Sequence, residues 1–222
     1  MSDVIALIFD FDGVLLESEH INAQHIAEVL TSLGHATSYQ DAHREFVGVG
    51  GPDFVAAISR WIGGEVPPAF FEARQAEDDR VMREGIDAVD GAIRFVETLP
   101  ASLPRAIASS STTHWIRTHL RHIGLEDNFD PHIYSGREHV TRGKPAPDIY
   151  LHAAQALGVD IGQCVILEDS PVGATGAVAS GAFVIGLAAG RHCHDGHDEL
   201  LRAKGVHAIA HSFADVEKIL FG

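Results

Sequence analysis

Short apolar segments alternate along the chain with longer segments of helical pattern. Six apolar segments have the length of a strand, and they cover residues 4–12, 105–111, 131–136, 164–169, 182–188 and 207–211. Strands that alternate with helices form a parallel sheet with helices on both faces, so the strands are apolar throughout. The pattern therefore predicts an α/β fold with a Rossmann-like parallel sheet.

The interval between the first two apolar segments is much longer than the dozen or so residues that a crossover needs. One helix face is marked by Ile21, Ile26, Val29, Leu30 and Leu33. Two later segments of this interval begin with proline and end with glycine, which are typical start and stop signals of helices. We therefore predict an inserted helical domain at residues 17–86, with the α/β core formed by residues 1–16 and 87–222.

The composition limits the classes of partner. The 222 residues are 45% hydrophobic, which suits one large domain with an insertion. The formal charge is −15, with 31 acidic and 16 basic residues, so a broad basic surface for nucleic acid or anionic lipid is not expected. The N-terminus has no basic leader, and no apolar stretch approaches the ~20 residues that span a bilayer. We expect a cytoplasmic protein, a monomer or weak homodimer.

Polar side chains stand at the carboxyl ends of the predicted strands, where open parallel sheets bind their ligands. They are Asp10 and Asp12 after the first strand, Ser109 to Ser111 at the end of the second, and Glu168 and Asp169 at the end of the fourth. Lys144, in the loop-like segment TRGKPAPDIY, adds a cation. Buried carboxylates are costly unless a partner compensates them. We therefore predict that these groups meet in one site.

Four motifs occur in order along the chain: DFDGVL (10–15), IASSS (107–111), GKPAPDIY (143–150) and LEDSPVGATGAVASG (167–181). With the long helical interval after the first motif, the chain resembles the haloacid dehalogenase superfamily. Within it, the chain is similar to the phosphatases and the β-phosphoglucomutase-like enzymes that carry a helical cap. The resemblance implies an enzyme that acts on a small phosphorylated metabolite.

The resemblance also implies roles for individual residues. By this resemblance, Asp10 is the nucleophile and Asp12 is the general acid and base. Ser109 and the neighbouring amide at Ser110 hold the phosphoryl group, and Lys144 bridges that group to the nucleophile. Two aspartates that are two positions apart in an extended segment share a face, so both can reach one phosphoryl group.

Mg²⁺ is the cofactor that the resemblance implies. Its ligands are expected to be the carboxylates of Asp10 and Asp169, the main-chain carbonyl of Asp12 and, in addition, Glu168. A carboxylate that attacks a phosphate must overcome the repulsion of like charges, and a cation and a lysine neutralise both groups. Mg²⁺ prefers oxygen ligands and keeps several waters, so a few carboxylates are sufficient.

Two features of the helical insertion are candidates for substrate contacts. The segment FVGVGGPDF (46–54) resembles the specificity loop of the family, so Gly48 and Gly51 are expected to allow close approach of the leaving group. The alternative is a plain turn between two helices. Ser18 is either an N-cap or, as its position in the family implies, a residue that faces the substrate.

The predicted function is a Mg²⁺-dependent phosphatase of small metabolites, with sugar or polyol phosphates as the expected class. A sugar phosphomutase is the first alternative, but Asn22 and Gly51 stand where those enzymes usually carry a histidine and a basic residue. A dehalogenase would not need Asp12, and a phosphonate hydrolase would need a lysine in the cap, which this chain lacks. The remaining alternative is a non-catalytic binding or regulatory module.

The cysteines and histidines carry a weaker signal. Cys164 lies in an apolar run and Cys193 in a polar one, which predicts a buried and an exposed thiol rather than a disulfide. The segment RHCHDGHDE (191–199) contains potential zinc ligands. Its spacing matches no closed zinc pattern, so a polar surface loop is favoured over a metal site.

Overall fold

The computed structural model describes residues 5–49 and 51–222, and the chain divides into two compact units. One unit consists of the described residues up to Glu17 together with Ile86–Gly222, and the other is Ser18–Gly85. The first is an α/β unit, and the regular elements described in the second are all helices. In the described part of the chain, no helix combines the length and the apolar character that a membrane span requires.

The α/β unit is built on a parallel sheet of six strands. Their bounds are β1 Ala6–Phe9, β2 Arg105–Ser109, β3 Ile133–Ser135, β4 Cys164–Glu168, β5 Phe183–Leu187 and β6 Ala208–Ala210. The strand order is β3-β2-β1-β4-β5-β6, and every neighbouring pair is parallel. All six predicted apolar segments contain a strand, so the predicted α/β fold is confirmed.

Helices connect the strands and cover the sheet. They are α5 Ala92–Thr98, α6 Thr113–His122, α7 Glu126–Phe129, α8 Asp148–Leu157, α9 Pro171–Ser180, α10 His197–Arg202 and α11 Phe213–Phe221. α9 begins as its sequence predicts: the Ser170 hydroxyl accepts a hydrogen bond from the Gly173 N–H, Pro171 occupies the first turn, and Gly181 ends the helix in a left-handed conformation. This fixed helix start follows directly on Asp169.

β1 lies in the middle of the sheet, between β2 and β4. After β1 the chain forms β2 and β3 on one side and then β4, β5 and β6 on the other. All four residues of β1 are buried, and Phe9 packs edge-on against Phe129 at 5.4 Å between ring centroids. The change of direction in strand order at β1 opens the crevice in which open α/β sheets bind ligands. Asp10, the residue after β1, therefore stands at the position expected for a site.

The helical unit contains α1 Ser18–Ser32, α2 Tyr39–Phe46, α3 Gly51–Ile62 and α4 Pro68–Glu84. It has its own apolar core, in which Ile26, Leu30, Phe46, Ile58 and Phe70 are almost completely buried. Each such side chain contributes about 1.5–3 kcal/mol relative to an exposed one. Ser38 and Asp41 start α2 with a reciprocal capping box. An independent core of this kind explains why the unit is compact by itself.

Candidate active site

Lys144 joins two carboxylates at the carboxyl edge of the sheet. Its Nζ donates to Asp10 Oδ1 at 2.6 Å and to Glu168 Oε1 at 2.7 Å. The Lys144 side chain is 5% exposed and the Glu168 side chain is fully buried. A buried cation is costly unless a carboxylate pairs with it, and here two carboxylates do. The predicted meeting of Asp10, Lys144 and Glu168 is therefore observed in the structure.

Glu168 is held from several sides. Its Oε1 also accepts a hydrogen bond from the Tyr150 hydroxyl at 3.0 Å. Its Oε2 accepts from the Ser170 amide at 2.8 Å and from the Ser170 hydroxyl at 3.1 Å. Burial, together with the charge of Glu168, raises the pKa of Tyr150, so its hydroxyl stays protonated and donates. These contacts fix the carboxylate that in turn fixes Lys144.

The electrostatics of this cluster follow from its burial. Burial disfavours the charged ammonium of Lys144, but the attraction of Asp10 and Glu168 outweighs it and holds the pKa of Lys144 well above its usual range. For Asp10 and Asp169 burial is the largest influence, and it raises the pKa of both carboxyls well above the usual range. One lysine is thus insufficient to compensate three buried carboxylates.

The same cluster fits a hard divalent cation. Oxygen atoms of Asp10, Glu168 and Asp169 all lie within 4.8 Å of one another. Asp169 Oδ1 is buried and has no hydrogen-bond partner among the described residues. Gly13, whose φ is +81°, lies so close that a Cβ there would clash with the Asp169 carboxylate. Carboxylate oxygens with spare capacity are the ligands that Mg²⁺ prefers, so these residues fit the expected metal.

Asp12 lies beside this cluster and is held by three donors. The Ser111 hydroxyl donates to its Oδ2 at 2.6 Å, and the Ser109 hydroxyl approaches the same oxygen at 3.4 Å. The Trp115 indole N–H donates to Oδ1 at 3.1 Å. Trp115 lies in the first turn of α6, the helix that follows β2, and sequence reasoning did not identify it. The sequence indicates a role for Trp115 only through its position, a few residues after the carboxyl end of β2.

Two buried histidines contact Asp169, and this corrects the expectation of a polar surface loop at residues 191–199. His192 Nε2 lies 2.8 Å from Asp169 Oδ2, and His197 Nε2 lies 2.7 Å from the Asp169 main-chain oxygen. The two residues are only 3% and 6% exposed. Cys193 is half-buried rather than exposed, whereas Cys164 is buried as predicted. His192, Cys193 and His197 lie close enough together to share a metal ion, but Nε2 of both imidazoles already contacts Asp169.

Comparison with known proteins decides the family. Residues 5–181 match the haloacid dehalogenase-like hydrolases. The chain belongs to this family. It is 32% identical over 187 residues to a fructose-1-phosphate phosphatase of Escherichia coli K12, covering 79% of this chain and 92% of that protein. It is 26% identical over 195 residues to a 6-phosphogluconate phosphatase of the same organism, covering 86% of each chain.

A solved haloacid dehalogenase family hydrolase has nearly the same fold. It is the enzyme of Deinococcus radiodurans R1, solved with bound phosphate and sodium, and it superposes with a TM-score of 0.87 at 32% identity. The match covers 99% of this chain and 96% of that one. The resemblance inferred from four motifs is thereby confirmed, as are the fold and the class of enzyme, a phosphoric monoester hydrolase of the haloacid dehalogenase type.

The other predicted site residues are divided between the two units. Ser109 is buried at the end of β2, and its hydroxyl accepts a hydrogen bond from the Ser111 amide at 3.0 Å. Ser110 is exposed. Ser18, Gly48 and Gly51 belong to the helical unit: Ser18 begins α1, Gly48 lies in the turn after α2, and Gly51 begins α3. Their substrate contacts stay predictions.

Metal binding in this haloacid dehalogenase-like hydrolase is expected to depend on pH. A carboxyl whose pKa is higher in the folded than in the unfolded chain binds protons preferentially in the folded state. Metal-free protein should therefore lose stability as the pH rises from about 4, the unfolded value, through the raised pKa of Asp10 and Asp169. A divalent cation binds carboxylates in their ionised form, so the stabilising effect expected of Mg²⁺ should grow over the same range.

Thermal unfolding with Mg²⁺ and with EDTA measures this effect. At Mg²⁺ near a hundredfold excess over Kd we expect Tm to rise by roughly 5–10 °C at about pH 7.5 and by less at about pH 5. In the Asp169→Asn variant Mg²⁺ should no longer raise Tm. In Asp127→Asn, which changes an exposed carboxylate in α7, Mg²⁺ should raise Tm as in the wild type. A gain that is equal at both pH values would contradict the assignment of these carboxyls to the metal.

Proposed function

We propose that this chain is a Mg²⁺-dependent phosphatase of small phosphorylated metabolites, with sugar or polyol phosphates as substrates. The observation that carries the proposal is the buried contact of Lys144 Nζ with Asp10 Oδ1 at 2.6 Å. The named activities of the two E. coli relatives, on fructose 1-phosphate and 6-phosphogluconate, support the substrate class. The phosphate bound in the D. radiodurans enzyme supports recognition of a phosphoryl group by this fold.

Asp10 is the nucleophile in this proposal. It follows β1 directly, so the strand fixes its main chain, and Lys144 holds one of its carboxylate oxygens. The other oxygen attacks phosphorus, the bond from phosphorus to the ester oxygen breaks, and an aspartyl phosphate forms. Lys144 reduces the repulsion between the attacking carboxylate and the phosphoryl oxygens. Covalent catalysis splits one difficult displacement into two easier ones.

Asp12 handles the protons of both displacements. In the protonated form it gives its proton to the leaving ester oxygen, and as a carboxylate it then takes a proton from the water that attacks the aspartyl phosphate. Ser111 and Trp115 position its two oxygens in the structure. With Ser109 held against the Ser111 amide, the strand end of β2 supplies hydroxyl and amide donors for the phosphoryl oxygens.

Asp10 and Asp169 are the carboxylates that hold Mg²⁺ in this proposal, together with the Asp12 carbonyl. Bound Mg²⁺ supplies positive charge that offsets the charge of the phosphoryl group. A Glu168 oxygen lies within 4.8 Å of oxygens of Asp10 and Asp169, but the oxygens of Glu168 already accept hydrogen bonds from Lys144, Tyr150 and Ser170. We therefore assign Glu168 chiefly to the orientation of Lys144.

A panel of phosphorylated compounds tests the proposed function. Phosphate release should require Mg²⁺, and kcat/KM should be higher for hexose and hexitol phosphates than for nucleotides and small-acid phosphates, by about tenfold or more. The panel should include sugar 1-phosphates and an assay for isomerised sugar. Isomerised product without phosphate release would replace the phosphatase by a mutase. No phosphate release and no isomerised product from any compound of the panel, with folded protein and Mg²⁺ present, would favour a non-catalytic binding module.

A further inference from the structure

The loop that follows β5, residues 188–196, and the first residue of α10 place two imidazoles against Asp169, a residue of the candidate metal centre. β5 pairs with β4 so that Gly186 is opposite Glu168, and the loop therefore starts at the edge of the sheet where Asp169 lies. His192 Nε2 contacts the Asp169 carboxylate, and His197 Nε2 contacts the Asp169 carbonyl. A carboxylate and a carbonyl oxygen are acceptors, so both imidazoles donate N–H groups.

The His192 ring is closely confined. A Cβ at Gly190 would lie 2.5 Å from Nδ1 and 2.6 Å from Cε1 of His192, and a Cβ at Gly13 would lie 3.0 Å from Cε1. The rings of His192 and His197 are perpendicular, with 5.5 Å between centroids. The turn around His192 is closed by a hydrogen bond from the Cys193 amide to the Gly190 oxygen at 2.9 Å. The neighbouring backbone therefore restricts movement of the His192 ring away from Asp169.

We infer that His192, supported by His197, is a positioning residue for the metal centre. It fixes the Asp169 carboxylate through Oδ2 and leaves Oδ1, which has no hydrogen-bond partner in the described chain, with capacity for the cation. Partners of this kind orient a metal ligand, and their loss typically costs about 10–100-fold in metal affinity or activity. The inference deepens the proposed function and rests on its metal centre.

A merely structural role for His192 makes a different prediction. A buried histidine that only fills space could be replaced by a side chain of similar size with no effect on Mg²⁺ affinity. A residue that positions Asp169 must donate a hydrogen bond from the place of Nε2. His192→Leu keeps much of the volume and removes the donor, whereas the amide of His192→Gln reaches the place of Nε2.

Mg²⁺ binding, measured by calorimetry on the full chain without substrate, separates the two roles. We expect Kd for Mg²⁺ to rise by about 10–100-fold in His192→Leu and to stay within about threefold of wild type in His192→Gln, which keeps the donor. His194→Gln is the matched control, because His194 is an exposed imidazole of the same loop and its Nδ1 contacts the Asp195 main-chain oxygen. It should bind Mg²⁺ as the wild type does.

Phosphate release adds a second readout. In His192→Leu the Mg²⁺ concentration for half-maximal activity should rise, and kcat at saturating Mg²⁺ should recover most of its value. A folded His192→Leu protein that binds Mg²⁺ with wild-type affinity would overturn the inference. Should that variant not fold, His192→Asn carries the same prediction, because its shorter amide does not reach Asp169. Wild-type protein that binds no Mg²⁺ would overturn the metal centre of the proposed function as well.

Discussion

Replacing Asp10 by asparagine is expected to reduce Mg²⁺-dependent phosphate release by roughly 10⁴-fold or more, the scale on which hydrolases respond to loss of their nucleophile. An amide is a poor nucleophile toward phosphorus, and the variant also loses one carboxylate of the metal cluster. The fold should persist, because Lys144 retains Glu168 as its partner at 2.7 Å. Burial raises the pKa of Asp10, so a neutral amide at this place costs the metal-free fold little.

Steady-state phosphate release and thermal unfolding in EDTA measure the two parts of this prediction. Asp127→Asn removes the same charge from an exposed position and should leave both quantities unchanged. A folded Asp10→Asn protein with wild-type turnover would exclude Asp10 as the nucleophile. An unfolded variant would instead show that the Asp10 carboxylate has a structural role that the contacts of Lys144 do not predict.

Replacing Lys144 by methionine should greatly reduce kcat and destabilise the fold at the same time. The change keeps most of the length of the side chain but leaves the carboxylates of Asp10 and Glu168 buried without their cation. Removing one partner of a buried ion pair costs about 3–5 kcal/mol. The loss of a positive charge beside the attacking carboxylate is expected to reduce kcat by about 10²–10³-fold or more.

A second substitution separates the two effects of Lys144. In Lys144→Met combined with Glu168→Gln, one of the two uncompensated carboxylates is gone, so much of the lost free energy of unfolding should return while kcat stays as low as in Lys144→Met. Denaturant unfolding and phosphate release measure both. Lys204→Met, at an exposed lysine, is the control. Stability that does not recover in the double variant would contradict the view that Lys144 compensates both carboxylates.

Much of the α/β unit could be predicted because its signals are local. Each of the six strands is short and apolar, and the parallel sheet follows from their alternation with helices. The start of α9 at Ser170 and Pro171 could be read directly from capping chemistry. The apolar pattern does not mark α2, because Tyr39–Phe46 is a short amphipathic segment whose start depends on a capping box at Ser38 and Asp41.

The candidate site was predictable to the extent that its residues stand at strand ends. Asp10 follows β1, Glu168 ends the neighbouring strand β4 and Asp169 follows it, so the geometry of a parallel sheet brings them together. Trp115 and His192 were missed or misplaced because their positions depend on how loops fold back over the edge of the sheet. A polar, histidine-rich segment has the composition of a solvent-exposed loop. Its start after β5, next to β4, was the signal that could have directed it to Asp169.

A covalently phosphorylated Asp10 is the central claim of this account, and trapping it is the most direct test. In Asp12→Asn protein, an aryl phosphate with a good leaving group should still phosphorylate Asp10, because that group needs no proton, whereas hydrolysis of the aspartyl phosphate should be slow. After an acid quench, mass spectrometry should find one added phosphoryl group, on the peptide that contains Asp10. An unmodified Asp10 in protein that turns over the same substrate, or a phosphoryl group on another residue, would contradict the account.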